Sequence, residues 1–111
     1  MKTLLIALST ASLMALVPAV AHAAIDDAKA EEIMKKAGCG ICHSVDKKLV
    51  GPAYKEVAAK RKAEPGAAAA LEKTVRDGSK GVYGPIPMPP NLEAKISNAE
   101  IHEMIEWILS K

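Results

Sequence analysis

Apolar residues recur at helical spacing over Ala30, Ile33, Met34 and Ala37, one face of an amphipathic helix. Asp26 or Asp27 is placed to cap its start and Gly38 to stop it. After Gly51, Pro52 suits the first turn of a second helix that turns Tyr54, Val57 and Ala58 inward, and Pro65 with Gly66 closes it. An alanine-rich third helix is predicted from about Ala67 to Asp77, ending at Gly78. The last helix has the clearest pattern: Ser97 and Glu100 make a capping box ahead of an apolar stripe of Ile101, Met104, Ile105, Ile108 and Leu109. Before it, GSKGVYGPIPMPPN holds three glycines and four prolines, which rule out a regular helix or a central strand. No stretch alternates with period two over a useful length. The expected fold class is all-α, with about four helices.

The first residues follow a different pattern. Lys2 precedes an apolar run from Leu4 to Val20, and Ala21, His22 and Ala23 supply a small-x-small cleavage site, so residues 1–23 read as a secretory signal peptide. The run is short for a bilayer span of roughly 20 residues, which disfavours an uncleaved anchor, and no cysteine lies near the site for a lipoprotein. Residues 24–111 remain as one domain, expected in the periplasm without a membrane span.

Losing Lys2 leaves 14 basic against 13 acidic residues, too balanced for a nucleic-acid or anionic-lipid partner. The aromatic supply is small: no Phe, and only Tyr54, Tyr83 and Trp107 as large rings. A domain this size that is short of core volume usually needs a staple.

GCGICHS, residues 38–44, holds the only two cysteines. Zinc would want four ligands, a thioredoxin-like dithiol would follow a strand, and a Cys39–Cys42 disulfide would close too small a loop to stabilise much. Covalent haem attachment fits the spacing: Cys39 and Cys42 put two sulfurs on one side of a helical turn, and His43 projects about 100° further round toward an iron. A haem would also supply the missing apolar volume.

The sixth iron ligand separates an electron carrier from an open-site haem protein. Met34 and Met104 lie on apolar helix faces, where methionine is usually core, and His102 sits at the edge of a stripe. Met88 stands in a segment stiffened by Pro85, Pro87, Pro89 and Pro90, which lowers the entropy lost in fixing a weak thioether ligand. Met88 is the preferred candidate.

GCGICH, VGPAYKEVAAK, GVYGPIPMPPN and the final WILSK together resemble bacterial class I cytochromes c of the short cytochrome c-551 (cytochrome c8) type, over essentially all of residues 24–111. The resemblance implies one haem c with thioether links to Cys39 and Cys42 and axial ligands His43 and Met88. It implies that the Pro52 carbonyl accepts from the outer ring nitrogen of His43, that Asn91 steadies the methionine sulfur, and that Tyr83 donates to a haem propionate where relatives often carry a tryptophan. Thr74 replaces a propionate-binding arginine of relatives, leaving Arg76 or Lys73 to balance that charge. The stretch after Asn91 is a few residues longer than in near relatives.

The function so implied is periplasmic one-electron transfer in an aerobic or anaerobic respiratory chain, not enzymatic, by a monomer. A quinol-oxidising complex is the expected donor and a nitrite reductase or terminal oxidase the acceptor. Ile41, Val50, Ile86 and Pro87 would ring the exposed haem edge, with Lys47 and Lys48 on the rim. The competing readings are a haem enzyme or gas sensor with a displaceable Met88, and a fixed haem subunit of a larger oxidoreductase.

Overall fold

The computed structural model describes residues 24–111, so the signal peptide read from residues 1–23 lies outside the described residues. Four α-helices follow in chain order: α1 (Asp27–Ala37), α2 (Tyr54–Arg61), α3 (Ala67–Asp77) and α4 (Asn98–Leu109). A single tight turn, Cys39–Ile41, follows α1. No strand occurs among the described residues; two isolated bridges, His43 with Lys48 and Ser79 with Met88, tie down loops. The fold is the all-α one expected.

Local chemistry explains the helix ends. The Asp26 carboxylate accepts from Lys29 N at 2.8 Å, and Gly38, at φ 74°, lets its own N–H reach back to close α1. At α4 the capping box is complete: Glu100 N donates to Ser97 Oγ and Ser97 N donates to Glu100 Oε2. Two boundaries differ from the sequence reading. Pro52 precedes α2, which Ala53 caps, because its carbonyl is taken by His43. Helix α2 ends at Arg61, and Pro65–Gly66 forms the entry to α3, with Gly66 at φ 75°.

The core gathers on α4, which packs against α1, α2 and α3. Ile101, Met104, Ile105 and Ile108 are buried, with Ile33 of α1, Val57 of α2 and Leu71 of α3 around them. Trp107 is buried and Leu109 only partly so, a rotation of the stripe by part of a turn. The Trp107 indole N–H donates to Asp27 Oδ1 at 2.8 Å, and Lys111 pairs with the same carboxylate while lying over the indole ring. That bond gives the buried indole N–H its partner and pins the start of α1 to the end of α4.

Candidate haem site

The left-handed turn at Gly38 carries the chain out of α1 into one tight coil, in which Cys42 N and His43 N both donate to Cys39 O at 3.1 and 2.9 Å. This winding sets two free, half-buried thiols on one rim, with His43 directly behind them. Burial pushes the Cys39 thiol pKa up, and the Lys95 ammonium opposes it.

His43 is held from three directions. Its Nδ1 lies 2.8 Å from the Pro52 carbonyl oxygen, which can only accept, so in the neutral ring Nδ1 is the donor and Nε2 has the lone pair. The ring stacks on Tyr54 at 5.3 Å, and Tyr54 meets Trp107 edge-on at 5.8 Å. Gly51 backs the imidazole: a Cβ there would lie 2.4 Å from His43 Cε1. The need for glycine at 51 is steric, and it comes from the histidine.

The segment that carries Met88 is pinned to the end of α3. Ser79 and Met88 exchange both backbone hydrogen bonds, at 3.0 and 2.8 Å. Gly78, at φ 78°, lets this happen, since a Cβ there would stand 2.6 Å from Met88 O and 2.9 Å from Pro90 N. Asn91 is buried; its backbone N–H is shared between the carbonyls of Val75 and Arg76, and its side-chain amide donates to Val75 O at 3.0 Å. The free carbonyls at the end of α3 thus become the anchor of the methionine loop.

Cys39, Cys42, His43 and Met88 line one cavity of about 400 Å³. Pro52, Tyr83 and Asn91 line it as well, and Val57, Leu71, Val75, Ile101 and Ile105 give it an apolar lining. Met104 lines it too, whereas Met34 and His102 do not; His102 Nδ1 contacts Glu72 Oε1 at 2.8 Å, and that carboxylate raises its pKa. The Tyr83 hydroxyl is buried with no hydrogen-bond partner among the described residues. Its pKa is raised by burial, with the Arg61 guanidinium pulling the other way.

Neither base expected to balance haem propionates lines the cavity. Arg76 is consumed by Asn91 O (2.7 Å), Ile96 O (3.0 Å) and Asn98 Oδ1 (2.6 Å), and Lys73 is exposed and paired with Asp77. The cations that do line it are Lys48, Lys80 and Lys95. In the sequence Gly51 and Gly78 look like punctuation, and Arg76 like one of two candidates, with Lys73, to balance a propionate. The sequence carries no signal for their contacts, which come from distant segments.

The Cytochrome c family model matches residues 28–111, nearly the whole described chain. The chain belongs to the cytochrome c family. Among characterised cytochromes, the cytochrome c-551 of Pseudomonas aeruginosa is 48% identical over 81 residues, covering 73% of this chain and 75% of that protein. The cytochrome c-551 of Stutzerimonas stutzeri is 44% identical over 109 residues, 98% of this chain and 96% of its own. In three dimensions it is similar to the crystal structure of Nitrosomonas europaea cytochrome c552, with TM-score 0.68 and 42% identity over 72% of this chain and 96% of that one.

A cytochrome c carries one covalently bound haem c, and Cys39, Cys42 and His43 fit its C-x-x-C-H motif. The chemistry of the residues present also fits the group. Two thiols, an imidazole nitrogen and a thioether line one cavity whose lining is mainly apolar. This cytochrome c is a small electron carrier of the c-551 type that exchanges electrons with other redox proteins and is not an enzyme. No helix among the described residues is long and apolar enough to cross a membrane.

Proposed function

We propose that this cytochrome c is a periplasmic carrier of single electrons in a respiratory chain, with thioether links at Cys39 and Cys42 and iron held between His43 and Met88. The observation that carries the reading is the 2.8 Å contact of His43 Nδ1 with the Pro52 carbonyl: an oxygen that only accepts makes Nδ1 the donor, so the lone pair of the neutral ring belongs to Nε2. When bound, the haem supplies an iron that alternates between ferric and ferrous states.

The chain supplies the rest. Imidazole and thioether are each closely placed: Gly51 leaves room for the ring that Pro52 holds, and the bridge to Ser79 with the Asn91 anchor holds the segment of Met88. Ligands held this way favour electron transfer without ligand exchange. The apolar lining keeps water from the site and disfavours the extra charge of the ferric state, and the soft Met88 sulfur acts in the same direction, so both raise the potential. The leftover Tyr83 hydroxyl is the donor for a haem carboxylate, and Asn91 steadies Met88 by fixing the backbone around it. A leader at residues 1–23 is removed on export, with a quinol-oxidising complex and a nitrite reductase or terminal oxidase as exchange partners.

The test is Met88→Ala in the haem-loaded protein. The ferric wild type should show the weak sulfur-to-iron charge-transfer absorption, and the variant should lose it together with a large part of its reduction potential. An unchanged spectrum and potential would remove Met88 from the iron.

A further inference from the structure

Of the three large aromatic rings in the chain, two stand in file behind His43. Tyr54 stacks on the imidazole, with ring centres 5.3 Å apart and planes 17° from parallel, and Trp107 meets Tyr54 edge-on at 5.8 Å. Both rings are buried, in a core that is otherwise aliphatic apart from Met104. His43 and Tyr54 line the cavity, but Trp107 does not. The file therefore leads away from the cavity, to the place where α1 begins and α4 ends.

At that end two charges meet the indole. Its N–H donates to Asp27 Oδ1 at 2.8 Å, and the Lys111 ammonium lies 4.1 Å from the ring centre while donating to the same oxygen. Packing accounts for the rings but not for the charges. A buried indole N–H needs only an acceptor, which a backbone carbonyl supplies as well. A carboxylate can also take the proton away. The ammonium above the ring makes a positive charge on the indole costly, so this indole gives up an electron readily only when its N–H proton leaves too. Asp27 is the base in place to receive that proton, and its side chain is 83% exposed. Lys111, then the indole N–H, hold its pKa below the usual carboxylate value, so it is ionised at neutral pH.

We propose that Trp107, with Asp27 as its proton acceptor and Tyr54 as the bridge from His43, is a second electron outlet of this cytochrome, which passes the carrier's electron to small one-electron radical oxidants away from the cavity. The proposal rests on the reading of His43 as an iron ligand. The oxidant takes one electron from the indole and gains one negative charge. The Trp107 N–H bond breaks and its proton joins Asp27 Oδ1, leaving a neutral indolyl radical. The electron held by the ferrous carrier then crosses His43 and Tyr54 to the indole, Asp27 returns the proton, and the N–H bond forms again. One oxidant is reduced, one carrier becomes ferric, and the protein residues end as they began.

The experiment generates azidyl radical by pulse radiolysis in a solution of the ferrous, haem-loaded protein and follows the absorption of the indole radical together with that of ferrous haem. In the wild type the indole radical should form first and decay as ferrous absorption is lost, at a rate that does not change with protein concentration. Trp107→Phe should lose this phase. Tyr54→Leu should slow it severalfold while Tyr54→Phe, which keeps the ring, retains it. Asp27→Asn, which accepts the hydrogen bond but not the proton, should show the protonated radical, absorbing at longer wavelength and decaying more slowly. An unchanged phase in Trp107→Phe or Tyr54→Leu would overturn the route, as would a wild-type decay that speeds up in proportion to protein concentration. A neutral-radical spectrum fully retained in Asp27→Asn would overturn the role of Asp27. Failure of ferricyanide to oxidise the ferrous protein would instead sink the carrier reading.

Discussion

Two glycines set the geometry of the site. Gly51 and Gly78 each leave out a Cβ that would collide with the backing of a proposed ligand, the imidazole of His43 in one case and the carbonyl of Met88 in the other. Gly51→Ala should destabilise the haem-loaded protein by about 1–3 kcal/mol, the usual cost of forcing a group into a filled space, as read by denaturant unfolding. Gly78→Ala adds a left-handed backbone penalty of roughly 1–2 kcal/mol and pushes the methionine loop outward. That variant should weaken the sulfur-to-iron absorption before it unfolds; a spectrum identical to wild type would mean that Gly78 does not position Met88. Neither requirement can be read from the sequence, where each glycine looks like a helix boundary, because the clashing atoms belong to segments folded against it. The C-x-x-C-H motif was legible for the opposite reason, since its geometry is complete within a single turn.

Helix positions were legible wherever a signal is local. The Ser97–Glu100 box and the Gly38 and Gly78 stops depend on neighbours three or four residues away and stand where the pattern puts them, and the α4 stripe differs only in burying Trp107 more deeply than Leu109. What was not legible is the long-range wiring between elements. Lys36 of α1 pairs with Glu100 of α4 at 2.5 Å, so one carboxylate both caps a helix and ties two helices together. The Lys36 ammonium, then the Ser97 N–H, hold the Glu100 carboxyl down at about 2 from an ordinary value of 4.5. A carboxyl whose folded pKa is depressed stabilises the fold fully above its unfolded pKa and loses that contribution as pH falls through the folded one. Acid titration of unfolding stability should therefore show a loss between about pH 4.5 and 2 that Glu100→Gln removes; the same acid dependence in both proteins would contradict this assignment. Arg76 is the second long-range tie. Arg76→Met should leave the Asn91 and Ile96 carbonyls without their donor and cost about 1–3 kcal/mol. In calorimetry this reads as a lower unfolding temperature.

For the molecule as a whole, the helices are scaffolding for two loops that line one apolar cavity, and α4 contributes Ile101, Met104, Ile105 and Ile108 to the same lining. This explains a domain with no Phe at all: its centre is shaped for a group the chain does not encode. The exported form is expected to begin at Ala24 and to carry the mass of one haem, which intact-protein mass spectrometry reads directly. In the proposed ligation, His43 and Met88 fill both axial positions and do not let go. Carbon monoxide added to the reduced, haem-loaded protein tests it: the wild type should keep its spectrum while Met88→Ala binds the gas promptly. Prompt binding by the wild type would show an open iron and contradict the account.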